Sequence, residues 1–261
     1  MDVNELITEI INVHPNRDDL IVLNGGEPTI HPSFYKLIAK LQDVVPSEIA
    51  IYSNGISIKT KEMRKSDKTF LIIPIHGLES THDKITQTPK SFIHTLENIH
   101  NLDLNGYRYR IKFIINESMI NSNFNFYDFL IAYHLNPEEV IIARLNETKK
   151  SKRNQVRLPS NGQLRLYIQH QVNSLKNLFR LKFLDIPPCW LNDCNFINST
   201  YNVPDFYFTD PNNKMKNRSY YKDVMIGKNC IGCKHYVHCK TMSNSYLTLS
   251  LYNNEYILER E

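Results

Sequence analysis

Leu20-Ile21-Val22-Leu23-Asn24-Gly25-Gly26-Glu27-Pro28-Thr29 is an apolar run that stops on two glycines and continues with an acid and a proline. Such a run suits a buried parallel strand, and Asn-Gly-Gly closes it in a tight loop. The two glycines let the backbone come close to a ligand, and the proline fixes the exit from the loop. Free backbone groups and the Glu27 carboxylate are then placed to meet a ligand's ammonium group. An ordinary strand-to-helix turn would also accept Gly-Gly; it is the four-residue context that points to a ligand.

Outward from this stretch, strand and helix patterns alternate. Upstream, Val3, Leu6, Ile7, Ile10 and Ile11 form one apolar stripe, which predicts an amphipathic helix over residues 2–13. Downstream the patterns predict a helix over 33–42 and a strand at 49–52 closed by Ser53-Asn54-Gly55. A weak helical signal over 57–68 precedes a strand at 70–75. Helices over 91–102, 124–135 and 162–179 alternate with strands over 107–115 and 139–145; the first of these strands alternates basic with aromatic or aliphatic residues. Five strands before residue 146, apolar enough to be covered on both faces, describe βα units around a parallel sheet. Five falls short of a full eight-stranded barrel, so a partial barrel or an open doubly wound sheet is expected, with ligands at the carboxyl ends of the strands.

Composition excludes several classes. The chain has 261 residues, 41% of them hydrophobic and 22% charged, which rules out disorder and allows a sizeable core. A net charge of +4 is too mild to require nucleic acid, and no apolar run approaches the ~20 residues that span a bilayer. The start, MDVNELITEI, lacks the features of a secretory signal, so a cytoplasmic protein is expected. Lys149, Lys150, Lys152, Arg153 and Arg157 form a basic loop without interleaved aromatics. That disfavours nucleic acid and is compatible with an acidic or peptide partner. His76, His82 and Asp83 read as a strand end and a helix cap rather than a metal site.

All five cysteines, Cys189, Cys194, Cys230, Cys233 and Cys239, follow residue 188. An odd, clustered set in a reducing compartment favours metal over disulfides. Cys230-Ile-Gly-Cys233 with Cys239 has the spacing CxxC-x5-C, and an upstream cysteine supplies a fourth ligand. Cys189, behind the rigid Pro187-Pro188, is preferred over Cys194. Zinc, with His235 and His238 as substitute ligands, and an iron–sulfur cluster both fit this spacing. The change of character at Asp185 divides the chain into an α/β core, 1–184, and a cysteine-rich module, 185–261.

Gly25-Gly26-Glu27-Pro28 followed by Thr29-Ile30-His31-Pro32 resembles the GGEP segment of radical S-adenosylmethionine (radical SAM) enzymes. The resemblance continues through Tyr52-Ser53-Asn54-Gly55 and from His76-Gly77 to Ser91-Phe92, over about residues 1–145. It implies a partial (β/α) barrel, incomplete at its N-terminus. Gly25, Gly26 and Glu27 would then face the methionyl end of S-adenosylmethionine, and Ser53 and Asn54 its ribose. Asn116 and Arg144, ending later strands, would be further cofactor contacts. The cysteine spacing is similar to SPASM and twitch auxiliary modules, which implies an auxiliary 4Fe–4S cluster on Cys189, Cys230, Cys233 and Cys239, and a peptide or protein substrate. The family's CxxxCxxC, which ligates the radical-initiating cluster, has no counterpart before Cys189. The expectation is thus a maturase or maturase-associated protein, truncated or degenerate, acting alone or beside a complete radical SAM partner. The alternative is a non-catalytic, zinc-stabilised binding protein.

Overall fold

Short runs rich in β-branched and aromatic residues form six strands: β1 Leu20–Leu23, β2 Glu48–Tyr52, β3 Thr69–Ile75, β4 Arg108–Ile115, β5 Glu139–Arg144 and β6 Leu181–Leu184. The computed structural model describes residues 3–12, 17, 19–145, 156–187 and 190–191, together with the backbone of 206–210 and 213–218. The cysteines and Lys149, Lys150, Lys152 and Arg153 lie outside the described residues.

Every neighbouring pair of strands is parallel and the order is β1-β2-β3-β4-β5-β6, without reversal. A doubly wound sheet reverses its order at a switch point, whereas a barrel wall does not. The sheet curls into a half-barrel, which decides between the two closures the sequence left open. Five strands precede residue 146, as expected; β6, beyond it, has no counterpart in the sequence reading.

The helix α1 Val3–Asn12 precedes β1, and α2 Phe34–Val44, α3 Glu79–Thr86, α4 Ser91–Leu104, α5 Glu117–Asn121, α6 Phe126–Ala132 and α7 Asn161–Leu175 lie between successive strands, except between β2 and β3, where there is only a 3-10 turn. Apolar residues of α1, α2 and α4–α7 share one core with strand residues of the convex face, among them Ile49, Ile51, Leu71, Ile73, Ile111 and Phe113. Phe113 stacks on Phe126 with centroids 4.1 Å apart, locking α6 to the middle of the sheet. Alternate strand positions, including Ala50, Phe70, Ile72 and Ile141, form a smaller cluster on the concave face. That face also carries Arg110, Lys112 and Glu139, so these strands are less uniformly apolar than expected.

Several boundaries differ from the sequence reading for local reasons. β1 is the edge strand rather than a buried one: only β2 pairs with it, and Leu20 and Val22 are 38% and 37% exposed. Residues 57–68 yield a single 3-10 turn, Thr60–Glu62. The Asn125 side chain caps α6, and His134, at φ 51°, takes the chain out of helical geometry after it. A Ser160–Gln163 capping box starts α7. Pro74 is tolerated inside a central strand because Ile72 O, two residues earlier, accepts from Ser53 N just past the end of β2. By the strand's alternation, Pro74 faces the same side beyond that end, so its missing N–H forfeits no ladder bond. Beyond β6 the described backbone forms an antiparallel hairpin, β7 Phe206–Asp210 with β8 Asn213–Arg218.

Candidate functional site at the carboxyl ends of the strands

The loop after β1 owes its shape to residue chemistry. Gly25 and Gly26 stand at φ 109° and 57°, backbone values that L side chains rarely adopt. A Cβ at either would meet no atom within 4 Å, so both are exposed and the space over them is open. Pro28 then begins a 3-10 turn, Pro28–Ile30, for which Glu27 is the N-cap.

The Glu27 carboxylate joins this loop to the next. Its Oε1 accepts from Thr29 N at 3.2 Å, Thr29 Oγ1 at 2.6 Å and Ser53 Oγ at 2.8 Å. Its Oε2 accepts from Asn54 N at 2.6 Å. Ser53 is buried, and its hydroxyl both donates to Glu27 and accepts from Gly55 N at 3.1 Å. Asn54 is exposed, and its Oδ1 accepts from Ile56 N at 2.9 Å in an Asx turn. Gly55, at φ 82°, lies against Thr95, whose hydroxyl donates to Asn54 O at 3.0 Å. The carboxylate thus holds the β1 and β2 loops together, with Oε2 the less heavily engaged oxygen.

Asn116 and Arg144 also lie at the carboxyl rim. Asn116, directly after β4, donates from Nδ2 to His76 O at 2.9 Å and accepts at Oδ1 from Met119 N at 3.1 Å. Both ends of its amide therefore tie β3 to the start of α5. Arg144 pairs in register with Ile115 and is buried at the end of β5. The structure thus bonds Glu27, Ser53 and Asn54 into one group, with Gly25 and Gly26 in the loop that leads to Glu27, and sets Asn116 and Arg144 on neighbouring strands of the same rim.

His82 and Asp83 are structural, as expected. The Asp83 carboxylate accepts from Lys90 N at 2.6 Å, Ser91 Oγ at 2.8 Å and Phe92 N at 2.9 Å, capping α4 from outside its own helix. His82 is buried against Phe92, and burial pushes its pKa down to about 4, against the pull of Asp83. Among the described residues no three His, Cys, Asp or Glu side chains are grouped as a metal site.

The sequence reading passed over the concave face of β4. Arg108, Arg110 and Lys112 are spaced by two, so all three share that face. At its amino end Arg108 pairs with Glu48 at 2.9 Å and Glu138 at 2.7 Å. Arg110, nearly fully buried, lies 3.3 Å from Glu139 and 3.6 Å from the centre of the Phe70 ring. The basic alternation of 107–115 was the available signal.

No protein-family profile and no curated protein matches the sequence. Solved structures match by fold. Streptococcus suis SuiB aligns with TM-score 0.58 at 14% identity, covering 76% of this chain and 45% of that one. A structure of anSMEcpe with AdoMet and a peptide bound aligns with TM-score 0.54 at 12% identity, covering 69% of this chain and 54% of that one. SuiB bound to S-adenosylmethionine aligns with TM-score 0.50 at 15% identity, covering 63% and 37%. Both are radical SAM enzymes, and the described core of this chain has their partial-barrel fold. The chain spans about half or less of the length of these structures.

Proposed function

We propose that this chain binds S-adenosylmethionine at the joined β1 and β2 loops and serves in the maturation of a ribosomal peptide or protein. The observation that carries the reading is the Glu27 carboxylate fastened to both loops beneath the open backbone of Gly25 and Gly26. A ligand can approach that backbone without displacing a side chain, and Glu27 Oε2, which among the described residues accepts from Asn54 N alone, keeps acceptor capacity for an ammonium group. Ser53 positions Glu27, and Asn54 lies where a ribose would meet an exposed amide. Asn116 and Arg144 line the same rim farther along the sheet. When bound, S-adenosylmethionine supplies a sulfonium that carries adenosyl and methyl groups.

The donor set does not fit the family's radical-initiating cluster. No cysteine precedes Cys189, so the described core offers no thiolate there, and radical initiation is not assigned to it. The described core is therefore read as binding cofactor and substrate, with the electron supplied by a radical-initiating cluster outside it, in a truncated or a degenerate chain alike. Cys189, Cys230, Cys233 and Cys239 are proposed ligands of an auxiliary 4Fe–4S cluster. The CxxC spacing and the nearby His235 and His238 favour zinc as the second reading, with a binding protein rather than a maturase as its consequence.

Anaerobic purification with iron, sulfide and zinc analysis, followed by S-adenosylmethionine titration of the same sample, tests both parts. About four iron and four sulfide per chain, lost in Cys233→Ala, together with saturable cofactor binding, are expected. One zinc with no cofactor binding would leave the second reading.

A further inference from the structure

Four basic side chains occupy the concave face of β4 and β6: Arg108, Arg110, Lys112 and Lys182. Three have carboxylates within ion-pair reach. Arg108 has Glu48 and Glu138, Arg110 has Glu138 and Glu139, and Lys182 Nζ lies 3.9 Å from Glu139. Lys112 has none among the described residues. Its ammonium lies over the Tyr52 ring, 5.3 Å from the centroid.

The position of Lys112 matters as much as its lack of an acid. It stands two residues beyond Arg110, in register between Pro74 and Ile141, and is the strand cation nearest the carboxyl rim of β4. Its apolar surroundings lower the pKa of its ammonium, with Asp185 at the end of β6 opposing the shift through its charge. Holding an ammonium in apolar surroundings with no acid partner among the described residues is costly. A ring face recovers about 0.5–2 kcal/mol of such a cost and leaves the donors free. A carboxylate entering from the rim would both pair the charge and accept the donors. Carboxylates already consume the other cations of the face, so selectivity for an entering anion falls on this one residue.

We propose that Lys112 anchors a carboxylate at the mouth of the concave face, with Tyr52 holding the ammonium in place. That carboxylate comes from an acidic residue or chain end of a peptide. Carbon-13 NMR of the full chain after reductive dimethylation of its lysines tests this, the Lys112 signal being identified by its loss in Lys112→Arg. The probes are N-acetylglutamate, with neutral N-acetylglutaminamide as control, and S-adenosylmethionine, with its decarboxylated analogue as control. The Lys112 signal is expected to move saturably with N-acetylglutamate and not with its control, and to titrate at higher pH once the probe is bound. A response to S-adenosylmethionine but not to N-acetylglutamate, no response to either probe, or an equal response to the controls overturns the proposal. In unmodified protein, Lys112→Met should weaken binding of the responding probe about tenfold or more while Lys112→Arg retains it, with circular dichroism verifying that both fold. Calorimetry of S-adenosylmethionine on the same sample reads cofactor binding separately, so failure of the cofactor reading leaves an N-acetylglutamate response standing.

Discussion

Glu27 and Ser53 are 26 residues apart in sequence and 2.8 Å apart in the fold, so the role of each depends on the other. Gln at position 27 keeps the shape but removes the charge that a ligand ammonium would meet and replaces an acceptor of Thr29 or Asn54 with a donor. Glu27→Gln is expected to weaken S-adenosylmethionine binding about tenfold or more and to lower stability by about 1–2 kcal/mol, read by calorimetry and urea unfolding. The glycines separate two effects. Gly25→Ala imposes only backbone strain, because its Cβ would meet nothing, whereas Gly55→Ala adds a contact 2.8 Å from Thr95 Cγ2. Thermal unfolding should rank Gly55→Ala as the more damaging, by about 1 kcal/mol or more beyond the strain both share. The conformational need for Gly25 and Gly26 was legible in sequence, since a strand end followed by Gly-Gly implies unusual backbone. The engagement of the Glu27 carboxylate was not, because its partner arrives from another loop.

His82 gives the residue scale its pH dependence. Its folded pKa of about 4 lies below the ordinary value of 6.5, so between these pH values the unfolded chain binds the extra proton. Its contribution is complete above about pH 6.5 and is lost as pH falls through about 4, to a total of about 3 kcal/mol. Urea unfolding at pH 7.5 and 4.5 measures the loss, which His82→Gln should largely abolish.

At the scale of elements, α3 shows what periodicity cannot reveal. His82 is the one fully buried residue of Glu79–Thr86, so no apolar stripe announces the helix; its function is to carry Asp83 to the start of α4. Asp83→Ala should cost about 1 kcal/mol, seen as a lower thermal midpoint with unchanged secondary structure at low temperature. The sheet poses the opposite case. β4 and β5 were legible as strands, but their pairing places Arg110 and Glu139 together inside the concave face. Glu139 is 2% exposed at its side chain, so Glu139→Ala leaves the Arg110 charge poorly matched and should destabilise by about 3 kcal/mol. A combined Arg110→Met, Glu139→Met variant should lose less than the single change, as urea unfolding would reveal. β1 read as buried because its four residues are all apolar; composition alone does not distinguish an edge strand from an interior one.

For the whole molecule, alternation of strand and helix conveyed a parallel α/β sheet, while the unreversed strand order that makes it a half-barrel required the structure. The sequence also separates the proposed cofactor loop, Gly25–Glu27 in the described core, from the proposed metal ligands, since every cysteine follows residue 188. If the cysteines hold the proposed metal, its removal with a chelator should leave S-adenosylmethionine affinity unchanged within about twofold, the two proposed sites being energetically independent. The most direct measurement is calorimetric titration of the full chain with S-adenosylmethionine beside Glu27→Gln. The predicted result is saturable binding at one site per chain, weakened about tenfold or more by the substitution. No binding by the folded chain, or equal binding by the variant, would contradict the assignment of the β1–β2 rim as the cofactor site.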